Sequence, residues 1–244
     1  MAILDGIRCR LPPRHHYYFD QHRRRYECTL ELVDRTIGRG DMLEIGAAPL
    51  HFTALLKEAG YNVIAIDLDP TRDAEVAAAF GLDVRRCDVE RERLPFADGR
   101  FAGVTFMEIF EHLRIDPLFA LAEVNRILQP GGTLVLTTPN LYAAQNIARF
   151  ALGRGINDGF AEFAKLRLLG HMGHIREYTR TELRRFLEDS GFAIRHHRFA
   201  DYSMPSGRRQ TAKFLAARLL PKRFLSFHEI VAVKTAPAAQ LRPI

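Results

Sequence analysis

The residues best suited to chemistry lie in Glu44-Ile45-Gly46-Ala47-Ala48-Pro49 and at Asp67, about twenty positions beyond Gly46. Small residues let a ligand come close to the backbone, amides at the start of the next helix face it, and a carboxylate at a strand end can accept two hydrogen bonds from a ribose diol. That combination describes a nucleoside-binding unit. The plainer reading is a βαβ crossover that happens to end in an acid, and the surrounding chain has to decide between the two. Asp88 is a further acid of this kind. With the Val89 backbone it could read an adenine edge, its carboxylate accepting from the exocyclic amine, or it could simply cap a turn. Glu108-Ile109-Phe110-Glu111-His112-Leu113 adds a candidate base, His112, whose ordinary pKa lies close to neutrality. His174, in a loop expected to return over the pocket, is the second candidate. His171-x-x-His174 has the look of a metal pair, yet no third ligand stands at a fitting spacing, so no metal is expected.

These groups need elements to position them. Met42 to Ile45 reads as a buried strand, Leu50 to Ala59 as a helix with Phe52, Leu55, Leu56 and Ala59 on one face, and Val63 to Ile66 as a second strand. Thr71 to Phe80 is expected to be helical. Leu82 to Val89 forms a third strand, Gly103 to Met107 a fourth, Ala120 to Leu128 a helix, Gln129 to Gly132 a turn, and Thr133 to Thr138 a fifth strand. Strands alternating with helices at short connections imply a mainly parallel sheet covered on both faces. Ligands of such sheets bind beyond the carboxyl ends of the strands, where Asp67, Asp88, Glu108 and Thr138 all fall. Upstream, residues 1–18 carry no regular pattern. A helix is expected from Phe19 to Ile37, with Asp20 as its cap and Arg23-Arg24-Arg25 on a solvated face.

Length and composition bound the rest. A chain of 244 residues suits one α/β domain with additions. Its apolar runs are too short for a membrane span and no signal pattern opens it, so the expected location is the cytoplasm. Three unclustered cysteines fit neither a disulfide framework nor a zinc knuckle. The formal charge of +6 is unevenly spread, being +3 over residues 1–40, −7 over 41–140 and +10 over 141–244. A basic final third is suited to anionic partners, or serves as a solubilising surface.

Taken in order, Glu44-x-Gly46, Asp67, Asp88, the Glu108 to Leu113 segment and Arg126-Ile127-Leu128-Gln129-Pro130-Gly131-Gly132 resemble the successive motifs of class I S-adenosylmethionine-dependent methyltransferases. Gly173-His174-Ile175-Arg176-Glu177-Tyr178-Thr179 and Ser190-Gly191-Phe192 resemble the region before the sixth strand in that family's small-molecule branch, of methyltransferase type 11/23. The resemblance covers about residues 40–200. It implies a Rossmann-like, mostly parallel seven-stranded sheet with helices on both faces, the sixth strand at Phe192 to Phe199 and an antiparallel last strand at Phe227 to Lys234. It also implies S-adenosyl-L-methionine as cofactor. Glu44, Gly46, Ala47, Ala48 and Pro49 would line its methionine portion, Asp67 with Leu68 its ribose, Asp88 with Val89 its adenine, and Glu108 with Ile109 its sulfonium. The family's glycine loop is altered here to Gly46-Ala47-Ala48-Pro49-Leu50, and alanine fits such a loop only where φ is negative.

The implied division is an N-terminal helical extension over residues 1–40 and a methyltransferase domain over 41–244. Within it, a helical insertion at about 141–170 follows the fifth strand and would cover the acceptor site or simply cap a hydrophobic edge, with Ile147, Phe150, Ala151, Phe160, Phe163 and Leu166 on two amphipathic helices. Methyl transfer from a sulfonium asks the protein to align the acceptor, exclude water and, for a hydroxyl, remove a proton. The expected reaction is methylation of a small molecule, able to be anionic, at a hydroxyl oxygen of a sugar, quinone precursor or lipid-linked intermediate. The Gly-Ala-Ala-Pro string also resembles RNA ribose methyltransferases. The Lys-Asp-Lys-Glu tetrad of that branch is missing, which argues against a nucleic-acid acceptor. The altered loop keeps open a third reading, a methyltransferase-like module that binds without catalysis. Arg208 to Leu220 read as a basic amphipathic helix, followed by Pro221-Lys222-Arg223; residues 208–223 could touch a membrane surface, though a helix packed on the last strand is the commoner outcome.

Overall fold

The computed structural model describes residues 2–169, 173–202 and 221–239. The chain opens with helices α1 (Ala2–Arg10) and α2 (Pro13–Thr36), then β1 (Asp41–Ile45), α3 (His51–Glu58), β2 (Asn62–Asp67), α4 (Ala74–Phe80), β3 (Asp83–Arg86) and β4 (Phe101–Met107). It continues with α5 (Pro117–Ile127), β5 (Leu128–Pro139), α6 (Ala144–Ala151), α7 (Gly159–Leu169), α8 (Arg180–Asp189), β6 (Phe192–Ala200) and β7 (Phe227–Lys234). The strands form one seven-stranded sheet in the order β3-β2-β1-β4-β5-β7-β6. β1 to β5 pair in parallel, and β7 runs antiparallel between β5 and β6.

Helices on both faces explain why the central strands read as unbroken apolar runs. Alternation then sorts their side chains between two cores. Leu43, Ile45, Ile64 and Ile66 enter one, with Phe101, Phe106, Phe110 and α5. Met42, Val63 and Ala65 enter the other, with Phe19, Tyr26 and Val33 of α2 and Leu55 and Leu56 of α3. Because Glu44 shares the parity of Met42, its carboxyl turns to the α3 side.

Several expectations need correction. Residues 1–18, read as irregular, are largely helical: α2 begins at Pro13, a residue preorganised for the first helical position, and not at Phe19. Asp20 lies inside that helix and pairs with Arg8 at 2.7 Å instead of capping. Arg23, Arg24 and Arg25 do not share a solvated face, since the Arg25 side chain is only 13 % exposed. Regular pairing of the third strand stops at Arg86, and Gln129 to Gly132 are drawn into β5 beside a register shift near Phe101. The basic segment 208–220, like His171 and the end of the tail, lies outside the described residues. No described helix is long and apolar enough to cross a membrane.

Candidate functional site

Parallel pairing brings the ends of β1 to β5 to one edge of the sheet. Gly46 follows β1, and Asp67 ends β2 in register with Arg86, two residues before Asp88. Glu108 follows β4, its amide bonded to the Thr137 carbonyl of β5. The loop after β1 turns through Gly46 at φ +67°, where a β-carbon would collide with the Ile109 side chain. Ala47 and Ala48 avoid positive φ; the left-handed residue is Leu50, at φ 68°, and the Ala48–Pro49 peptide is cis.

The loop amides are not free, as the sequence had suggested. Gly46 and Ala47 donate to the Ile66 carbonyl, Ala48 to Asp67 Oδ2 and Leu50 to the Ala47 carbonyl, while Pro49 has no N–H. What the loop offers is close approach of the backbone. Asp67 also accepts from the Asp69 amide at 3.0 Å, yet each carboxylate oxygen keeps a second lone pair, enough for a diol. Leu68 is exposed beside it. Asp88 accepts from the Glu90 amide at 3.1 Å, the turn geometry of its plainer reading, and Val89 packs on the core.

Glu44 is buried and accepts from Thr53 Oγ1 at 2.6 Å; burial pushes its carboxyl up to about 8. Glu108 occupies a left-handed conformation, φ 54°, and its Oε1 is buried without a hydrogen-bond partner among the described residues. Burial raises its pKa, against the pull of Arg25, which lies 4.0 Å from Oε2. Arg25 Nε is likewise buried without a hydrogen-bond partner. A strained backbone and unpaired buried polar atoms at one strand end mark a place organised for something other than stability.

Beyond Glu108 the chain turns through the short 3₁₀ helix Phe110–His112. Glu111 is 0 % exposed, and burial together with the Glu108 charge raises its pKa well above the ordinary range. Thr138 Oγ1 donates to its Oε2 at 2.9 Å. The amides of Ile175 and Arg176 bond its carbonyl, which folds the expected loop back over this edge. His112 and His174 meet there with ring centroids 5.0 Å apart, and His112 Nδ1 bonds the Gly173 carbonyl at 2.9 Å. Sequence reasoning passed over Arg25 and Glu111. Glu111 carried a signal, since Glu108, Glu111 and His112 follow i, i+3, i+4 spacing and converge if the chain turns there. A cleft of about 380 Å³ is lined by Ala48 and Pro49 of this loop together with Arg14, His15, Tyr18, Arg72 and Asp73.

The insertion forms two helices, α6 and α7, as expected, but they are turned otherwise. Asn146 is the buried residue of α6, its Nδ2 donating to the Asn140 and Leu141 carbonyls and to Glu177 Oε2, while Ile147, Phe150, Phe160 and Phe163 are exposed.

A family model described as a methyltransferase domain matches residues 15–197. A probable S-adenosylmethionine-dependent methyltransferase of Mycolicibacterium smegmatis is 28 % identical over 179 residues, covering 73 % of this chain and 60 % of the relative, so the chain spans less than two thirds of that protein. A ubiquinone biosynthesis O-methyltransferase of Leptothrix cholodnii is 26 % identical, covering 71 % of this chain and 74 % of its own. The fold is shared with the Burkholderia thailandensis 1,6-didemethyltoxoflavin-N1-methyltransferase solved with S-adenosylhomocysteine, with a TM-score of 0.59 at 20 % identity, over 90 % of this chain and 81 % of that one.

Proposed function

The chain belongs to the class I S-adenosylmethionine-dependent methyltransferases, and from that premise we propose that it transfers the cofactor's methyl group to a hydroxyl oxygen of a small molecule. The observation that carries this reading is the shared sheet edge. It holds a tight small-residue loop, a carboxylate with spare lone pairs and, two strands away, the partly buried Glu108 and Arg25, each with a buried polar atom that has no hydrogen-bond partner among the described residues.

In this reading Asp67, with Leu68 beside it, holds the ribose hydroxyls, and Asp88 with Val89 meets the adenine edge. Gly46, Ala47, Ala48 and Pro49 let the cofactor lie against the backbone. Glu44, behind them, braces the loop through Thr53. The amino-acid end of the cofactor carries both charges. Arg25 suits its carboxylate, and Glu108, over Ile109, suits its ammonium and sulfonium.

The reaction is an in-line displacement whose reactive group the cofactor supplies. When bound, the cofactor would supply an activated methyl group to the acceptor oxygen, and a hydroxyl acceptor would have to give up its proton. His112 and His174, set against Glu111, are the groups that meet the acceptor hydroxyl. The relative named for ubiquinone biosynthesis O-methylation supports an oxygen acceptor.

Calorimetry with S-adenosylmethionine, followed by a labelled-methyl screen over hydroxylated small molecules, tests the proposal. Wild type is expected to bind cofactor and Asp67→Ala to bind it at least tenfold more weakly, about 1.4 kcal/mol. Equal binding by the two proteins removes Asp67 from the ribose contact. Cofactor binding without transfer to any acceptor favours the non-catalytic module.

A further inference from the structure

Two buried histidines, His15 and His51, have no part in the chemistry described above. His15 lies in the first turn of α2, and His51 is the first residue of α3, directly after Leu50 of the small-residue loop. Their rings are hydrogen-bonded, His15 Nδ1 to His51 Nε2 at 2.9 Å. On the far side of His15, Nε2 meets Glu75 Oε1 of α4 at 3.1 Å; on the far side of His51, Nδ1 meets the Tyr26 hydroxyl at 3.3 Å. The side chains of Tyr26, His51, His15 and Glu75 therefore form one chain across α2, α3 and α4.

The carboxylate end sets the direction of that chain. A carboxylate only accepts, so His15 Nε2 carries the hydrogen and donates to Glu75. With both rings neutral, His15 Nδ1 then accepts from His51 Nε2, and His51 Nδ1 accepts from the Tyr26 hydroxyl. Burial first, and the His15 ring second, push the His51 imidazole down to about 3, which keeps it neutral. The rings of Tyr18, Phe19 and Tyr26 also pack on His51, with centroids 5.5 to 6.1 Å away. At the other end, Asp73 lies 3.7 Å from His15 Nε2 and Arg14 pairs with Glu75. His51 is thus held from every side by α2, and it has no solvent to replace a lost partner.

That hold complements the one on the opposite side of the loop. Towards β2, the amides of Gly46 and Ala47 bond the Ile66 carbonyl and that of Ala48 bonds Asp67 Oδ2. Towards α2, Ala48 and Pro49 face a cleft whose other wall includes His15 and Tyr18, so contact through His51 does the work that direct packing does not. Without His15, the buried His51 N–H has no acceptor, and satisfying it requires the ring, the first turn of α3 and the left-handed Leu50 to move. We infer that His15, acting through His51, is a positioning residue for the cofactor, fixing Ala48-Pro49-Leu50 against the Asp67 carboxylate. The N-terminal helices then belong to the cofactor site without His15 touching the cofactor. The inference rests on the assignment of this loop and Asp67 to S-adenosylmethionine.

Calorimetry with S-adenosylmethionine, and amide hydrogen exchange over residues 48–53 of the free protein, test it on wild type, His15→Phe and His15→Asn. Phenylalanine keeps a ring and removes both hydrogen bonds, whereas asparagine places an oxygen where Nδ1 stood and keeps the acceptor for His51. His15→Phe is expected to bind cofactor about tenfold more weakly and to exchange faster over the loop, while His15→Asn stays within about threefold of wild type. Thr179→Ala, which loses a helix cap on α8, controls for general destabilisation: its thermal midpoint falls and its affinity does not. Should His15→Phe fail to fold, Glu75→Ala at the exposed end of the chain replaces it, with an expected loss of about threefold. Wild-type affinity in that variant, or an equal loss in His15→Phe and His15→Asn, overturns the inference. The two readouts separate it from the methyl-transfer reading. If wild type binds no cofactor while His15→Phe still loosens the loop, the methyl-transfer reading falls alone; if wild type binds cofactor and loop exchange is the same in both proteins, the positioning role falls alone.

Discussion

Leu50 shows how two opposing effects are decided at a single residue. A left-handed backbone at a non-glycine residue costs about 1–2 kcal/mol, so glycine looks like the better choice at φ 68°. The Leu50 side chain, however, is 2 % exposed in the core formed by α2 and α3, and burying leucine contributes about 1.5–3 kcal/mol before any cavity is counted. Burial wins, and Leu50→Gly is expected to lower stability by about 1–3 kcal/mol in denaturant titration. The sequence showed that two glycines of the loop were replaced. It could not show that Ala48 avoids positive φ while Leu50 takes it on, because that depends on the neighbouring helices. Glu44 yields a second prediction from the same scale. Its folded pKa, about 8, exceeds the ordinary carboxyl value of 4.5, so the folded state holds a proton that the unfolded chain releases first. Its contribution to stability is therefore full below pH 4.5 and is lost as pH rises to 8, by an amount on the order of a few kcal/mol. Thermal midpoints of wild type should fall more steeply across that window than those of Glu44→Gln; parallel profiles would show that Glu44 does not titrate this way.

At the scale of elements, the best-marked boundary is the start of α8. Thr179 Oγ1 accepts from the Glu182 amide and the Glu182 carboxylate accepts from the Thr179 amide, a reciprocal cap. Thr179→Ala should cost about 1 kcal/mol and lower the thermal midpoint by about 2–4 °C, with cofactor affinity unchanged in calorimetry. The start of α2 was harder to read, since Pro12-Pro13 punctuates the chain while Pro13 in fact begins the helix. Arg25 was placed on the right helix but on the wrong face. Phe19, Tyr26 and Val33 define the buried stripe of α2, and Arg25 rides on its flank towards Glu108. Strands were legible because both faces of the sheet are covered. Asp67 and Glu108 were legible because parallel strands put their carboxyl ends on one edge.

On the scale of the whole molecule, periodicity tells which residues share a face but not where that face points. The sequence placed Ile147, Phe150, Phe160 and Phe163 on two amphipathic helices and expected them to close over the site. In the fold α6 buries Asn146, whose Nδ2 donates to the Asn140 and Leu141 carbonyls and to Glu177 Oε2, and the apolar residues of both helices are left uncovered. Phe150 and Phe163 are therefore 47 % and 65 % exposed, and substituting them removes little that the fold depends on. Phe150→Ser and Phe163→Ser are each expected to change stability by no more than about 0.5 kcal/mol in denaturant titration. Against an apolar acceptor the same variants should behave differently from wild type. Contact with half a phenylalanine ring contributes about 1 kcal/mol, so each substitution should raise KM about fivefold while kcat stays within twofold. A loss of stability comparable to that of Leu50→Gly would mean that these rings pack against the body of the protein, and an unchanged KM would place the acceptor away from α6 and α7.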